Sequence, residues 1–275
     1  MARKGPVASG SPIKIVKLGG SVITDKTSDV ASLREADLKR LAKEIVSAGG
    51  ETIVLHGAGS YGHPGARKYK LREGLTGPES VRGASEVRAS VARLNTLVVE
   101  ALREAGAHPW ALPPSANAAM REGAFKRIDW EAFDAALGRG LTPVSHGDVV
   151  LDDTLGVSIL SADEIAQALA RHLHPALMVF AVNVDGLFDR DPSADGAALI
   201  QTLKASDKVS FEQGASKGAD VTGAMAAKLK AAQAIAFGGA RVRIVNGLVP
   251  GRVADALAGK DVVGTLVTPP GVVAR

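Results

Sequence analysis

Two short apolar runs, each ending in a glycine-rich turn, constrain the fold of this chain more than any other feature. The first covers residues 13–18 and stops at Gly19-Gly20, and the second covers residues 52–55 and leads into the turn His-Gly-Ala-Gly-Ser-Tyr-Gly-His. Aliphatic and β-branched runs stopped by glycine are typical of buried strands. Because Leu38, Leu41 and Ile45 recur at helical spacing between them, the pattern predicts strand, helix and strand in succession.

The same alternation continues along the chain. After a polar, basic stretch, the sequence predicts a long helix over residues 85–104 and short strands over 108–112, 141–145, 177–182 and 242–245. Strands that alternate with helices predict α/β architecture, with a mostly parallel sheet covered on both faces as a three-layer αβα sandwich.

Two segments break this alternation. Residues 149–151 and 157–160 predict an inserted β-hairpin, because two apolar runs flank an Asp-Asp-Thr-Leu-Gly turn. The long polar stretch 186–217 predicts a lid or nucleotide-side loop, since loops of that length in a compact domain are usually functional.

Length and composition limit the function. With 275 residues, the chain is expected to form one domain over residues 13–275 after a flexible tail, residues 1–12. The absence of cysteine excludes disulfides, thiolate nucleophiles and zinc sites built on sulfur. A net charge of +4 spread along the chain, with six Phe, two Tyr and two Trp, does not imply nucleic-acid binding. No membrane span or signal peptide is recognisable, so we expect a cytoplasmic protein with a small anionic ligand.

The residues around the first turn suggest a phosphate site. Lys17, Gly19, Gly20 and Ser21 surround the end of the first strand, and Lys26 comes nine residues after Lys17. Glycine lets backbone N–H groups approach anionic oxygens, and lysine is a mobile point charge. Taken alone, the stretch fits an ordinary strand-to-helix turn equally well.

The second turn contains Gly57, Gly59 and Gly62 in the spacing G-x-G-x-x-G. A nicotinamide site is disfavoured, because it also needs an acidic residue about 20 positions later, where residues 81–84 are Val-Arg-Gly-Ala. The glycines still allow a phosphate to approach. His63 follows at a predicted helix N-terminus, where anions are favoured, and we expect it to contact the ligand.

Two aspartates are further candidates. Asp163 opens the helix after the hairpin, where it serves either as an N-cap or as the counter-charge that holds Lys17 and Lys26 in position. Asp185 follows an apolar strand, at the end where open α/β sheets bind ligands. A plain turn would use the same Asp-Gly pair.

The last motif lies in the C-terminal quarter of the domain. Thr222 and Gly223 could cap a helix and present N–H groups to a phosphate, with Lys228 on the same face. The sequence G-x-x-x-x-G-K-[ST] is missing from the chain, which excludes the P-loop kinases.

Together these motifs resemble the amino acid kinase superfamily: K-x-G-G-S with a second lysine nine residues later, a glycine-rich second turn, D-G-L-F, and T-G-[GA]-M-x-x-K. The resemblance covers about residues 13–267. Within the superfamily, G-A-G-S-Y-G-H-P and G-D-V-V before the hairpin are similar to the isopentenyl phosphate kinases. The resemblance implies an amino acid kinase fold with an acceptor-side half, about residues 13–165, and a nucleotide-side half, about 166–275, in a homodimer.

The resemblance also implies ATP and Mg²⁺ as cofactors and assigns roles to residues, with Lys26 stabilising the transferring phosphoryl group. No metal-ligating side chain is identified. The catalytic positions it implies are Lys17, Lys26, His63 and Asp163; the ATP-binding ones are Lys17, Gly19, Gly20, Ser21, Gly59, Asp185, Thr222, Gly223 and Lys228; the acceptor-binding ones are Gly57, Ala58, His63 and Gly156.

The implied reaction transfers the γ-phosphoryl group of ATP to isopentenyl phosphate, giving isopentenyl diphosphate and ADP. A phosphomonoester has lost most of its protons at neutral pH, so such a site needs positive charge rather than a general base. Val91, Leu94 and Val98 are the expected wall for an isoprenoid tail, or plain core. The alternatives are a fosfomycin kinase, which acts on a phosphonate and shares the histidine, and a non-catalytic nucleotide- or anion-binding protein.

Overall fold

The computed structural model describes residues 12–25, 30–209 and 221–271, with the backbone alone at 221–224. The expected N-terminal tail lies outside the described residues except for Pro12. The strands are β1 (Lys14–Leu18), β2 (Thr52–His56), β3 (Pro109–Ala111), β4 (Ala118–Arg121), β5 (Ala124–Ile128), β6 (Thr142–His146), β7 (Asp148–Asp152), β8 (Gly156–Leu160), β9 (Leu177–Val182), β10 (Leu187–Phe188), β11 (Leu199–Ile200), β12 (Thr202–Lys204), β13 (Arg241–Asn246) and β14 (Gly264–Thr268).

Helices and two 3₁₀ turns connect these strands. The 3₁₀ turns are Gly59–Tyr61 and Leu71–Glu73. The helices are α1 (Gly20–Ile23), α2 (Glu35–Ser47), α3 (His63–Lys68), α4 (Pro78–Glu104), α5 (Pro114–Asn117), α6 (Trp130–Leu137), α7 (Ala162–Leu173), α8 (Val221–Phe237) and α9 (Arg252–Leu257).

An eight-stranded sheet in the order β12-β14-β13-β9-β1-β2-β6-β3 forms the centre of the fold. Its neighbouring strands run parallel, except that β13 and β14 are antiparallel. Successive residues of β1 enter different cores: Ile15 packs with α6, α7 and α8, whereas Val16 packs with α2, α4 and α9. The predicted three-layer αβα sandwich with a mostly parallel sheet is therefore confirmed.

A four-stranded sheet in the order β5-β4-β7-β8 is inserted after β6. It contains the predicted hairpin, because β7 and β8 pair antiparallel, and adds two strands that the sequence analysis did not predict. Asp152 joins the two halves of this sheet. Its carboxylate accepts hydrogen bonds from the backbone N–H groups of Glu122 (3.1 Å), Gly123, Thr154 and Leu155 (each 2.9 Å) and from the Ser158 hydroxyl (2.7 Å).

A small apolar cluster, here called the α4 cluster, lies between α4 and the hairpin β7–β8. Its buried members are Leu71, Ala84, Val87, Val91, Val149 and Val157, with Ala58 packed against them. Of the three residues expected to line a tail pocket, only Val91 belongs to it. Leu94 and Val98 pack in the core beneath the large sheet instead.

The helix predicted over residues 85–104 and the loop predicted over 186–217 differ from the structure. Helix α4 begins at Pro78 rather than at residue 85, and proline is favoured at the first helical position because its missing N–H would have no partner there. The described part of the stretch 186–217 is not a plain loop, because it contains β10, β11 and β12; residues 210–217 lie outside the described residues. Within the described ranges, no helix combines the length and apolarity needed to cross a bilayer.

Candidate active site

Two lysines share one carboxylate near the carboxyl end of β1. Lys17 Nζ lies 2.6 Å from Asp163 Oδ1, and Lys228 Nζ lies 3.6 Å from Asp163 Oδ2. Both ammonium groups also stand over the ring of Phe180, 5.9 and 5.7 Å from its centroid, because strand pairing places Phe180 beside Lys17. Two positive charges against one negative charge leave the group with an excess of one positive charge, which suits an anionic ligand.

The pKa values of this group reflect the same imbalance. Burial alone would raise the pKa of Asp163, but Lys17 and Lys228 outweigh burial and hold it below its usual range. Burial, followed by the charge of Lys17, lowers the pKa of Lys228 to about 8, against the opposing effect of Asp163. A ligand that brings negative charge would relieve this repulsion.

Asp163 is not the N-cap of α7, which was one of its two expected roles. Ser161 is the cap: its hydroxyl accepts a hydrogen bond from the Glu164 N–H (3.1 Å), and Glu164 accepts one from the Ser161 N–H (2.9 Å). This reciprocal capping box leaves Asp163 to face Lys17, as expected. Its second partner is Lys228; the expected second partner, Lys26, lies outside the described residues.

The two glycine-rich turns touch through their backbones. A Cβ atom added to Gly20 would lie 2.5 Å from the nitrogen of Gly59, and one added to Gly57 would lie 2.8 Å from the nitrogen of Gly20. Gly59 has a φ of +51°, and a Cβ there would lie 2.0 Å from Thr24 Oγ1. Side chains at these positions would force the turns apart, so glycine is required for the contact.

Not every N–H group of the first turn is available to a ligand. The Gly19 N–H donates to the carbonyl of Ala181 (2.8 Å), so it ties the turn to β9 instead of facing an anion. The Ser21 hydroxyl donates to Asn183 Oδ1 at 3.2 Å. Both contacts hold the start of α1 at the carboxyl end of β9.

The expected acceptor residues lie in two places, the second glycine turn and the hairpin β7–β8. Ala58 packs against the α4 cluster, and His63 is the exposed first residue of α3. Gly156 begins β8 next to Val157 of the cluster; its φ is +78°, and a Cβ there would lie 2.8 Å from the Leu75 side chain. Gly156 is therefore at the hairpin turn, where its conformation alone accounts for glycine.

Asp185 has a structural role in addition to any role toward the nucleotide. Its carboxylate accepts hydrogen bonds from Arg252 at the start of α9 and from Asn246 Nδ2, the latter at 3.2 Å. Thr222 and Gly223 lie in the first turn of α8, whose described part begins at Val221; their side chains are outside the description.

Comparison with known proteins decides the family. Residues 12–246 match the family model described as Amino acid kinase family. The chain belongs to the amino acid kinase family.

Individual relatives match this amino acid kinase over nearly its whole length. Isopentenyl phosphate kinase of Methanothermobacter thermautotrophicus is 33% identical over 262 residues, covering 92% of this chain and 98% of that protein. The enzyme of the same name from Thermoplasma acidophilum is 31% identical and covers 92% and 99%. A solved isopentenyl phosphate kinase structure superposes with a TM-score of 0.82 at 30% identity, covering 93% of this chain and 100% of that one. A substrate complex of isopentenyl phosphate kinase gives a TM-score of 0.77 at 28% identity, with 93% of this chain and 99% of that chain covered.

This amino acid kinase also has a histidine pair that the sequence analysis missed. His56 ends β2 and His146 ends β6; their rings stack with centroids 5.1 Å apart at 24°. In each ring, Nδ1 lies 3.1 Å from the carbonyl oxygen of the following glycine. Because a carbonyl oxygen only accepts, Nδ1 carries the proton in His146. In His56 both ring nitrogens face an oxygen atom, since Nε2 lies 3.2 Å from Asn95 Oδ1. The signal in the sequence was the dipeptide His-Gly, repeated at the ends of two strands.

Both histidines are neutral at pH 7. Burial, and then the neighbouring ring, lower the pKa of His56 to about 3, and burial is also the main cause that lowers the pKa of His146 to about 4. Neither ring contributes charge to the site. Among the described residues, no group of three or more His, Cys, Asp or Glu side chains could hold a metal ion.

Proposed function

We propose that this protein is an ATP-dependent kinase that phosphorylates isopentenyl phosphate, giving isopentenyl diphosphate and ADP. The observation that carries the proposal is the pairing of Lys17 and Lys228 with Asp163, directly before the glycine turn that opens α1. The match to relatives named isopentenyl phosphate kinase over nearly the whole chain supports the choice of acceptor.

The reaction needs charge and positioning more than acid–base chemistry. At neutral pH the acceptor is mostly a dianion, because the second pKa of a phosphomonoester is about 6. One of its oxygens attacks the γ-phosphorus of ATP, the bond from that phosphorus to the bridging oxygen breaks, and the electron pair leaves with ADP. Lys17, Lys228 and, as we propose, Lys26 reduce the repulsion between the two anions. Mg²⁺ would arrive with ATP on its phosphate oxygens and add positive charge there.

The two substrates are proposed to meet where the glycine turns touch. The ATP phosphates would lie along Gly20, Ser21 and Lys228, and the acceptor phosphate would lie along the second turn near His63. The isoprenoid tail would lie against the apolar α4 cluster, which adjoins that turn through Ala58. This apolar surface favours an isoprenoid over fosfomycin, which has no comparable tail.

A coupled assay of ADP release with isopentenyl phosphate, dimethylallyl phosphate and fosfomycin tests the proposal. Saturable turnover with isopentenyl phosphate, and none with fosfomycin, is the expected result. Turnover with fosfomycin but with neither isoprenoid phosphate would mean that the protein is a fosfomycin kinase. ATP binding without turnover of any of the three would make the protein a non-catalytic binder.

We also propose that the protein acts as a homodimer in the cytoplasm, where ATP is available. Members of this fold usually dimerise. Light scattering on the purified protein would give the mass in solution, and a value near the 28.2 kDa of one chain would reject the dimer.

A further inference from the structure

One face of α4 carries a charged residue among buried ones. Four residues lie along this face, because they are spaced four, three and four positions apart: Ala84, Arg88, Val91 and Asn95. Ala84 and Val91 are buried in the α4 cluster, and Asn95 is buried with its Oδ1 3.2 Å from His56 Nε2. Of these four residues, Arg88 is the one that is exposed.

This face is directed at the second glycine turn and at the start of β7. A Cβ atom added to Gly62 would lie 3.2 Å from Val91 Cγ2. The helix therefore contacts the second glycine turn at Val91, about one helical turn after Arg88. On the other side, Val91 and Val149 share the α4 cluster, which places the backbone at the start of β7 near the same part of α4. An arginine on this face carries its charge at the end of a long flexible stem, which gives it reach toward both elements.

The electrostatics of the buried groups agree with this placement. Burial raises the pKa of Asp148, and hydrogen bonds from Ser115 and Val149 oppose that rise, followed by the charge of Arg88. Burial lowers the pKa of His146, the Gly147 carbonyl opposes this, and the charge of Arg88 lowers it further. Among the residues that the structure describes, Arg88 nevertheless forms no ion pair within 4.0 Å. Arg88 is thus close enough to act on the carboxyl end of β6 without being neutralised by a carboxylate.

We propose that Arg88 binds the phosphate of the acceptor from the α4 side of the second glycine turn. The inference rests on the proposed function, since it concerns the same acceptor. A guanidinium can donate two parallel hydrogen bonds to a phosphate. A positive charge here would lie on the other side of the acceptor phosphate from the lysines. It would favour a dianionic phosphate over a neutral alcohol as the acceptor.

The test compares Arg88→Gln and Arg88→Lys with Arg93→Gln, an exposed arginine on another face of the same helix. Arg88→Gln should raise the KM for isopentenyl phosphate about tenfold to a hundredfold, the range expected for losing a hydrogen bond to a charged group. The KM for ATP and the Tm should stay unchanged. Arg88→Lys should give an intermediate KM, because it restores the charge but not the planar pair of donors. Arg93→Gln should behave as the wild type.

Two results would overturn the inference. One is an unchanged acceptor KM in Arg88→Gln, or an equal rise in Arg93→Gln. The other is a fall in Tm in Arg88→Gln, if adding Asp148→Asn restores both the Tm and the KM. In that case Arg88 would only balance the charge of a buried carboxylate.

Binding of inorganic phosphate, measured by calorimetry, separates this inference from the proposed function. Weaker binding in Arg88→Gln than in Arg93→Gln supports a phosphate site at Arg88 even if the wild type does not turn over isopentenyl phosphate. If the wild type turns over isopentenyl phosphate, and both variants bind phosphate equally and have the same acceptor KM, the proposed kinase function stands and the role of Arg88 is rejected.

Discussion

ATP binding should be coupled to uptake of a proton by Lys228. In the free protein, burial and then the charge of Lys17 lower the pKa of Lys228 to about 8. The phosphates of ATP would bring several negative charges to this ammonium group and return its pKa to its ordinary value, roughly 10.4, or above. Because the nucleotide binds the protonated form more tightly, affinity should be greatest below pH 8 and should fall as the pH rises through 8.

The size of the effect follows from the pKa of about 8. At pH 8 about half of the Lys228 side chains are protonated in the free protein and nearly all in the complex, so binding should take up about half a proton. Between pH 7 and pH 9 the protonated fraction falls from about 0.9 to about 0.1. The affinity for ATP should therefore fall about tenfold, which corresponds to about 1.4 kcal/mol.

Calorimetry at pH 8 in buffers of different ionisation enthalpy measures the proton uptake directly. Lys228→Arg is the matched control, because a guanidinium keeps the positive charge and does not titrate below a pH of about 12. This variant should bind ATP with little proton uptake and with little dependence on pH. Equal uptake by both proteins, or a wild-type affinity that is flat from pH 7 to pH 9, would refute the reasoning.

Substitutions elsewhere separate the parts of the site. Lys26→Ala should lower kcat strongly while calorimetry still detects ATP binding; an unchanged kcat would remove Lys26 from the mechanism. His63→Ala should raise the KM for the acceptor and leave the KM for ATP unchanged. An equal rise in both KM values would contradict its position on the acceptor side. Gly20→Ala should abolish turnover, because its Cβ would lie 2.5 Å from the nitrogen of Gly59; normal kcat would show that the turns need not touch. Asp152→Asn should lower the free energy of unfolding by about 1–3 kcal/mol through lost charge-assisted hydrogen bonds. Those bonds lower the pKa of Asp152, so the difference in free energy of unfolding between wild type and variant should be full above the ordinary pKa of 3.8 and should disappear in acid. Urea unfolding at several pH values measures it, and a difference that does not change with pH would contradict the prediction.

The layered architecture could be predicted from the sequence because its strands are locally recognisable. The runs that became β1 and β2 are rich in Ile, Val and Leu and are almost entirely buried, as strands covered on both faces should be. Strands β4 and β5 lack this signal, since they belong to a sheet with an exposed face. What fixes them includes the Asp152 carboxylate, which binds their turn from about 30 residues away in the chain. A partner that distant leaves no local pattern.

The early start of α4 was hidden for a similar reason. The side chain of Tyr69 packs directly over Gly83, where any Cβ would lie 2.1 Å from the Tyr69 ring. The glycine therefore serves close packing inside the helix, whereas the sequence analysis left it in the polar, basic stretch before residue 85.

Part of the site was predictable and part depended on strand register. The pairing of Asp163 with Lys17 followed from the type of residue expected beside a phosphate site. Lys228 as the second partner required the position of α8 against β9, and the stacked His56 and His146 required β6 to pair with β2 in one register. These relations exist only in the assembled sheet.

The contact between the two glycine turns has a consequence for how such a protein can diverge. Since main chain meets main chain at Gly20 and Gly59, the separation between phosphoryl donor and acceptor is set where side-chain replacement has little influence. The α4 cluster, by contrast, consists of ordinary aliphatic side chains that can be exchanged for larger, smaller or polar ones. A lineage could therefore acquire a new acceptor through mutations around α4 and the hairpin while inheriting the transfer geometry intact, and the glycines would be the positions that resist change longest.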